Sequence, residues 1–362
     1  MAAGHTTPRE SGTGAANRMT QRTNAAPADA PTRTHLYAAF DCVVESDLPL
    51  PLLSAAEGGE PCLRVRRGDT ACRSAAPGEP VSDLRDAAGG LVYRVERHGG
   101  QYLWRYPDLG EFTIAADGST VLWDAADAQA PDMAAALAGP VIGFALQLQG
   151  RTSLHGSAVV VDGHAIGLIA PSGHGKSTLA AALLDRGAAL LTDDVLMLRA
   201  GGDAVRALPG PSCMKLWPDA LDGVVGLADW EALPRHASWL EKRVLRVDAR
   251  PAAGRVPGAR SSAQPLGALF VLWPSTADSP IERTRLRGRD ALMALVANGY
   301  NAHLLALEPR LLAVQLDLFR TLVRDVPVSV LRYPRSFARI AGVADAVVAW
   351  GSAGGGADDG RD

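Results

Sequence analysis

The sequence has few of the features that mark disulfide-rich, zinc-binding or membrane-spanning chains. Four cysteines occur in 362 residues, none of them in a C-x-x-C pair, and no histidine cluster has the spacing of zinc ligands. No apolar run reaches the roughly 18 residues of a membrane span, and the N-terminus lacks the apolar stretch of a secretory signal. We therefore expect free thiols in a reducing compartment, at Cys42, Cys62, Cys72 and Cys213.

Net charge is also small. The formal charge of -3 gives no whole-chain basic signal for nucleic acid and no attraction to an anionic membrane. We therefore expect neither nucleic acid nor a membrane as a partner, and the missing signal and membrane span lead us to expect a cytoplasmic protein. Hydrophobic residues make up 47% of the chain, close to a globular average, and the length allows two domains with a sizeable core.

The pattern along the chain indicates a structured centre and two polar ends. The N-terminal stretch is rich in Thr, Ala, Pro and Gly without a hydrophobic period, which predicts a disordered leader and leaves the start open between Met1 and Met19. A transit peptide is the alternative, since arginines stand there among few acids. The predicted segments are a leader at 1–35, a β-rich N-terminal domain at 36–130, an α/β domain at 131–350 and a disordered tail at 351–362.

Turn and cap signals indicate elements in both domains. Asp117-Gly118 lies between two short alternating runs and predicts a β-hairpin. Asp162-Gly163 likewise separates two apolar runs, the second of which leads into a glycine-rich loop. A helical stretch is predicted over 131–149, with Pro140 starting or kinking its second half, and a later helix is predicted to have Asp290 as its N-cap. No catalytic constellation is found in the N-terminal domain, for which we predict partner recognition or a bracing role.

A phosphate-binding loop is indicated at residues 170–177, which read Ala-Pro-Ser-Gly-His-Gly-Lys-Ser. The loop matches the Walker A pattern at its last three positions and has Ala170 at the first. Glycine lets backbone N–H groups approach phosphate, the lysine supplies a cation and the serine hydroxyl can bind Mg²⁺. An apolar strand precedes the loop and a helix follows it, as this motif requires. We predict binding of ATP and Mg²⁺, the nucleotide through Ser172, Gly173, His174, Gly175, Lys176, Ser177 and Thr178.

Two adjacent acids end the next predicted strand. A short apolar run at 190–192 is followed by Asp193 and Asp194. In a parallel sheet, ligands bind beyond the carboxyl ends of the strands, so both carboxylates are predicted to lie near the phosphates. One can hold Mg²⁺ while the other accepts a proton from an incoming hydroxyl. We predict Asp193 as the base and Asp194, with Ser177, as the magnesium ligands; an exposed turn pair is the alternative.

Further polar residues complete the set of candidates. His155 precedes the first strand of the predicted hairpin, and an imidazole titrates near neutral pH, which suits proton handling. With Asp193 and Lys176 it forms the predicted catalytic set. Three more cations could contact a γ-phosphate or an acidic acceptor, with a solvated charged surface as the alternative; they are Lys215, Lys242 and Arg243.

The order of His155-Gly156, the loop ending Gly173-His174-Gly175-Lys176-Ser177 and Asp193-Asp194 resembles the catalytic core of the bacterial HPr kinase/phosphorylase family. The likeness is specific over about residues 150–200 and weaker to about residue 345. It implies an α/β fold in which an HPr-kinase-like P-loop domain follows a smaller β-rich domain. It also implies that the loop binds ATP and Mg²⁺, that the Asp pair serves metal binding and acid/base transfer to a serine, and that the histidine lies close by.

The sequence differs from the better-known members of this family at two places, which indicates the subgroup that it resembles most. Thr178 stands where those members have Glu, and residues 210–218 stand where they have an Arg-Gly segment. The chain is closer to the HPr-kinase-like proteins of lasso-peptide biosynthesis, which residues 46–51 (Ser-Asp-Leu-Pro-Leu-Pro) also fit. That subgroup phosphorylates a serine at the end of a precursor peptide. The resemblance thus implies an ATP-dependent serine kinase whose partner is a peptide or small protein, above all a lasso precursor peptide with a C-terminal serine.

Two other functions are compatible with the sequence. One is a P-loop kinase for a small-molecule hydroxyl, and the other is a non-catalytic scaffold that senses nucleotide and docks a peptide. A eukaryotic-type protein kinase is excluded, because the chain has no H-R-D or D-F-G set. HPr kinases assemble as hexamers, so a homo-oligomer is an open expectation, and the sequence does not decide whether a reverse phosphorylase activity exists.

Overall fold

A computed structural model of the protein describes residues 34–68, 78–85, 89–125, 131–237, 240–247, 262–305 and 308–352. The predicted leader up to residue 33 and the predicted tail from residue 353 lie outside these ranges. Within them the chain forms α-helices and three β-sheets, so the protein is of the mixed α/β class that the sequence predicts. The helices of this part of the chain are too short or too polar to cross a membrane.

The N-terminal region is β-rich. Nine strands form one sheet in the order β3-β1-β2-β4-β9-β8-β7-β6-β5. The hairpin predicted at Asp117-Gly118 joins its eighth and ninth strands, and Gly118 takes the positive φ of 70° that the turn needs. The strands are β1 (His35–Ala39), β2 (Cys42–Ser46), β3 (Ser54–Ala55), β4 (Leu63–Arg67), β5 (Glu79–Arg85), β6 (Leu91–His98), β7 (Gln101–Tyr106), β8 (Gly110–Ile114) and β9 (Thr120–Asp124).

A disulfide joins Cys42 to Cys62 in this sheet. Cys42 begins β2 and Cys62 precedes β4, and the two strands pair in parallel, which brings the Cα atoms to 5.7 Å. The expectation of free thiols is therefore wrong for this pair, because sequence spacing alone does not reveal which strands are neighbours. Cys213 is free and buried, whereas Cys72 lies outside the described residues.

The helical stretch that follows is interrupted as its proline predicts. α1 (Pro131–Ala136) passes into a π-helical turn (Leu137–Val141) that contains Pro140, and α2 (Ile142–Leu148) continues from it. Proline cannot donate the backbone hydrogen bond that a regular α-helix needs at this position. The stretch is almost entirely buried, and Phe144 packs against Tyr102 and Trp104 of the N-terminal sheet.

A second sheet of eight strands and a small third sheet follow. The second has the path β11-β10-β13-β14-β18-β20-β19 with β12 paired to β10, and the third has the order β15-β17-β16. The elements are β10 (Thr152–Val161), β11 (His164–Ile169), α3 (Lys176–Leu184), β12 (Ala189–Thr192), β13 (Val195–Ala200), β14 (Val205–Ala207), β15 (Cys213–Leu216), α4 (Pro218–Ala220), a π-helical turn (Leu221–Val225), a 3-10 turn (Trp230–Ala232), β16 (Arg235–Ala237), β17 (Leu240–Arg246), β18 (Gln264–Ser275), β19 (Glu282–Leu286), α5 (Gly288–Ala297), α6 (Ala302–Leu305), α7 (Pro309–Asp325), β20 (Val328–Pro334) and α8 (Phe337–Ser352).

Two helix boundaries differ from the predictions. α5 starts at Gly288 with Arg287 as its N-cap, so Asp290 lies in the first turn instead of capping the helix. The acid is still favourable there, because the first turn carries the positive end of the helix dipole. α8 extends to Ser352, so Gly351 and Ser352, the first residues of the predicted tail, are helical.

The carboxyl ends of four strands meet at one edge of the second sheet. β18 pairs in parallel with both β11 and β20. β12 is antiparallel to β10, as β11 is, and therefore runs in the same direction as β11. The residues that follow these strands, including the glycine-rich loop and the two aspartates, are thereby brought to the same edge.

Apolar side chains cover both faces of this sheet. One cluster joins α3 and α8 to the sheet, and another joins α5 and α7 to the opposite face. A third cluster contains the N-terminal sheet with α1 and α2, and it also takes in residues of the second half of the chain, among them Val195, Met197, Leu208 and Leu304. The two large sheets thus share packed apolar side chains.

Candidate functional site

The glycine-rich loop connects β11 to α3, as predicted. Gly173 and Gly175 have φ of 82° and 79°, and Gly175 is the N-cap of α3. A Cβ atom on Gly175 would lie 2.5 Å from the Tyr333 hydroxyl. That hydroxyl donates a hydrogen bond of 2.6 Å to the carbonyl oxygen of His174. The loop is therefore held against the end of β20, and only glycine fits at position 175.

Lys176 is the first residue of α3 and is 7% exposed. Its ammonium donates to the carbonyl oxygens of Ala170 at 2.8 Å and Pro171 at 3.1 Å. Burial lowers its pKa to about 8, because desolvation disfavours the charged form. The cation is thus placed inside the loop that the sequence assigns to phosphate, and a phosphate group there would favour its protonated form.

Asp193 is 4% exposed and its carboxylate accepts three hydrogen bonds. Oδ1 accepts from the hydroxyl of Ser177 at 2.8 Å and from that of Ser157 at 2.6 Å. Oδ2 accepts from the backbone N–H of Lys215 at 2.9 Å. The structure therefore links the last residue of the loop directly to the acid that ends β12. This carboxylate is held in place by its neighbours, with little freedom to reach an incoming molecule.

Asp194 points in another direction because its backbone has a φ of 76°, a left-handed conformation that is uncommon outside glycine. Its Oδ2 accepts from the ammonium of Lys215 at 2.9 Å, and its Oδ1 lies 3.6 Å from Nδ1 of His155. Burial alone would raise the pKa of Asp194, but the charge of the Lys215 ammonium and its hydrogen bond hold it well below its ordinary value. Asp194 is therefore ionised over the whole physiological pH range.

His155 lies on β10 beside this carboxylate. Its Nδ1 is 3.2 Å from the carbonyl oxygen of Asp194, and its ring stacks on Tyr300 with 6.0 Å between the ring centres. Burial lowers the pKa of His155, and the nearby Asp194 opposes this only in part. The imidazole is therefore neutral at pH 7. A proton on Nδ1, facing Asp194, leaves Nε2 as an acceptor.

A cavity of about 350 Å³ opens at this point of the sheet edge. It is lined by His155, Asp194 and all seven loop residues predicted to bind nucleotide, from Ser172 to Thr178. Asp193 is not among its lining residues, because its oxygens face Ser157, Ser177 and Lys215. The structure thus brings all the predicted site residues together but gives the two aspartates different surroundings.

Of the three further cations, two face the cavity. Lys215 and Lys242 line it. The guanidinium of Arg243 lies over the Trp230 ring at 5.5 Å and donates to the carbonyl oxygen of Leu233 at 3.4 Å. Neighbouring residues on a strand point to opposite faces, which explains why Lys242 and Arg243 differ.

The sequence pattern did not reveal a group of lining residues that come from β15, α4, β18, β20, α8 and the short connections beside them. The residues at and after the end of β20 could have been found in part. The apolar pattern of residues 328–331 is typical of a strand, and the carboxyl end of a parallel strand lies at this edge. The pattern does not show that β20 is parallel to β18 and lies beside the loop. The missed lining residues are Leu216, Trp217, Asp219, Pro274, Tyr333, Arg335, Ser336, Phe337 and Ile340.

The residues present fit a magnesium ion bound together with a nucleotide. Ser177 and Asp193 supply two oxygen donors within 2.8 Å of one another, and Mg²⁺ prefers oxygen ligands. Across the described ranges no group of three or more His, Cys, Asp or Glu side chains could hold a metal. A site of this kind is completed by phosphate oxygens and water, which is usual for Mg²⁺ in phosphate-transferring proteins.

Comparison with known proteins gives little beyond this geometry. No protein-family model matches the chain, and no curated protein matches it. Among solved structures, the chain is similar to the HPr(Ser) kinase/phosphatase from Coxiella burnetii, with 12% sequence identity and a TM-score of 0.29 over 54% of this chain and 93% of that one. A likeness this weak carries no argument about activity.

Proposed function

We propose that the protein is an ATP-dependent phosphotransferase that transfers the γ-phosphoryl group to a serine hydroxyl. The observation that carries the proposal is the 2.8 Å hydrogen bond from Ser177 to Asp193. It joins the last residue of a Walker A-like loop to an acid at the end of a neighbouring strand, and Lys176 lies beside both. This combination is the one that phosphate-loop proteins use to hold Mg²⁺ and a triphosphate.

The cavity has a phosphate-binding side and an apolar side. The backbone of the loop and the start of α3 offer N–H groups to phosphate oxygens, and Lys176 adds a positive charge. Apolar wall is supplied by Phe337, Ile340 and Pro274. Such surfaces suit the base of a nucleotide, which supports a nucleoside triphosphate over inorganic polyphosphate as the donor.

Ser177 and Asp193 would hold the magnesium ion, which when bound neutralises charge on the phosphates. The two aspartates then exchange the roles that the sequence suggested. Asp193 is buried and fully hydrogen-bonded, whereas Asp194 lines the cavity. We assign Asp194 as the proton acceptor, with His155 orienting its carboxylate. Its low pKa keeps it ionised, and it takes the proton late in the transfer, when the serine oxygen has become bonded to phosphorus.

The proposed transfer exchanges one phosphorus–oxygen bond for another. The serine oxygen forms a bond to the γ-phosphorus, and the bond from that phosphorus to the bridging oxygen of the β-phosphate breaks. The nucleoside diphosphate leaves with that oxygen, and the serine proton passes to Asp194. Lys176 and the loop N–H groups stabilise the negative charge on the phosphoryl oxygens during the transfer.

The acceptor is proposed to be a serine in a peptide or small protein. The resemblance described above makes a lasso precursor peptide with a C-terminal serine the first acceptor to test. The protein would be incubated with ATP, Mg²⁺ and either that peptide or a mixture of small hydroxyl compounds. Mass spectrometry then shows which product gains one phosphate. Phosphate on a small compound alone would replace the peptide acceptor with a metabolite.

Two variants separate phosphoryl transfer from nucleotide binding alone. Lys176→Ala should abolish both nucleotide binding and transfer. Arg186→Ala is the matched control, because Arg186 follows α3 and pairs with Asp345 on the surface; it should retain both. Nucleotide binding without any phosphorylated product from either acceptor class would favour a nucleotide-sensing scaffold. Unchanged ATP affinity in Lys176→Ala would overturn the assignment of the loop.

A further inference from the structure

The small third sheet forms a positively charged wall of the cavity. β15 and β17 pair with Lys215 opposite Val244. Because alternate residues of a strand share a face, Lys242 lies on the same face of the sheet as Val244 and Lys215. Both lysines line the cavity. This sheet therefore presents two ammonium groups toward the region where the loop and Asp194 meet.

The surroundings of Lys242 differ from those of the other lysines. Lys176 donates to two carbonyl oxygens, and Lys215 pairs with Asp194. Lys242 lies over the face of the Trp217 ring, 5.7 Å from its centre, and within the described ranges no acidic side chain forms an ion pair with it. A cation held by an aromatic face keeps its N–H groups available for an anion.

The charge of Lys242 reaches the reacting region. Lys242 lines the same cavity as Lys176 of the loop. Asp194 lines this cavity too, where it pairs with Lys215 of the small sheet. The positive charge of Lys242 therefore faces the space that the loop lysine and the assigned proton acceptor also face. An anionic group placed between them would be attracted to both lysines at once.

We propose that Lys242 is a catalytic residue that contacts the terminal phosphate of the bound nucleoside triphosphate and stabilises the phosphoryl group during transfer. This proposal rests on the proposed function. It adds that the Lys242 ammonium donates a hydrogen bond to the terminal phosphate. The N–H groups of the loop surround the phosphates nearer the nucleoside, while Asp194 marks the side from which the acceptor comes. Lys242 lines the cavity that both regions border, and the terminal phosphate is the group that would lie between them.

The test compares triphosphate with diphosphate binding in Lys242→Met. A non-hydrolysable ATP analogue and ADP are titrated into each variant by calorimetry with Mg²⁺ present. A charge-assisted hydrogen bond contributes about 1.5–3 kcal/mol, so Lys242→Met should weaken analogue binding about tenfold to a hundredfold and leave ADP binding unchanged. Lys242→Arg should restore most of the difference. Arg243→Met, which changes the next residue on the opposite face, should affect neither ligand.

A second measurement, on phosphoryl transfer itself, separates a catalytic role of Lys242 from a purely structural one. At saturating Mg²⁺-ATP, Lys242→Met should lower kcat for phosphoryl transfer, and Lys242→Arg should restore most of it because the arginine keeps the positive charge. Lys242→Gln serves the same purpose if thermal unfolding shows that the methionine variant is misfolded. Equal weakening of the analogue and ADP, or no weakening of either, would overturn the proposal. Failure of the proposed function is distinct: in that case Lys176→Ala would bind both ligands as the unmodified protein does.

Discussion

Lys215 and Asp194 form an ion pair in the cavity wall, with 2.9 Å between Nζ and Oδ2. The same lysine donates its backbone N–H to Asp193. One residue of β15 therefore fixes both carboxylates that follow β12, the first through its main chain and the second through its side chain. Because the pair is largely buried, removing either partner would leave an uncompensated charge inside the protein.

Because the two aspartates have different surroundings, we expect replacement by asparagine to affect transfer at one position and nucleotide binding at the other. Asp194→Asn should bind Mg²⁺-nucleotide but lower kcat for transfer about 10²–10⁴-fold, which is the usual contribution of a general base. Asp193→Asn should weaken Mg²⁺-dependent nucleotide binding itself, because it disturbs the oxygen donors around Ser177. Calorimetry and a phosphorylation assay on both variants would measure these effects. Loss of binding in Asp194→Asn with retention in Asp193→Asn would show that our exchange of roles is wrong.

Nucleotide affinity should fall as the pH rises through about 8. In the free protein the pKa of Lys176 is lowered to about 8 by burial, and phosphate binding favours the charged ammonium. Below that pH the lysine is already charged and affinity is at its maximum; above it, binding requires proton uptake. Calorimetry between pH 7 and 9, in two buffers with different heats of ionisation, would detect that proton. Lys176→Arg, which stays charged throughout, should bind with less dependence on pH; a wild-type affinity that does not vary between pH 7 and 9 would contradict the assignment.

Alanine substitutions at Gly173 and Gly175 test how closely the loop is packed against Tyr333. Both Gly173→Ala and Gly175→Ala place a side chain at a positive φ, which costs about 1–2 kcal/mol. Only at position 175 does the new Cβ also meet the Tyr333 hydroxyl. Gly175→Ala should therefore lower both nucleotide affinity and the temperature of unfolding more than Gly173→Ala does, as measured by calorimetry and thermal unfolding. Equal effects at the two positions would mean that the close contact with Tyr333 is unimportant.

The Cys42–Cys62 bond should stabilise the N-terminal sheet. It closes a loop with a sequence separation of 20 residues, and loops of that size contribute about 3 kcal/mol in the chain-entropy model. The double variant Cys42→Ser, Cys62→Ser should lower the free energy of unfolding by about that amount, measured by denaturant titration without reductant. Adding reductant should then destabilise the unmodified protein but leave the double variant unchanged. Identical curves for the two proteins in oxidising buffer would argue against the bond.

Local signals in the sequence predicted the local structure around the loop well. The turn at Asp162-Gly163 joins β10 to β11, the strand leads into the loop, and α3 starts at Lys176. These features depend on residues that are neighbours in the chain, such as an Asp-Gly turn or a glycine before a helix. The sequence also indicated that both aspartates follow a strand.

Features that depend on which strands are neighbours could not be predicted. The pairing of β2 with β4 brings Cys42 and Cys62 close enough to form the disulfide. The position of β20 brings Tyr333 and Phe337 to the cavity. The sequence does not show either pairing, because hydrophobic patterns identify strands but not their partners. The different roles of Asp193 and Asp194 could not be predicted either, because the positive φ of Asp194 turns the two adjacent carboxylates toward different neighbours.

The apolar cluster shared by the two large sheets has a consequence for any shortened form of the protein. Val195, Met197, Leu208 and Leu304 pack in the same cluster as the N-terminal sheet. Tyr300, whose ring stacks on His155, also packs against that cluster. A fragment starting at β10 would expose these side chains to water and remove the support behind the imidazole. The phosphate loop could survive such an excision while the histidine lost its fixed orientation, so a fragment that still binds nucleotide would be a poor guide to what the whole chain can catalyse.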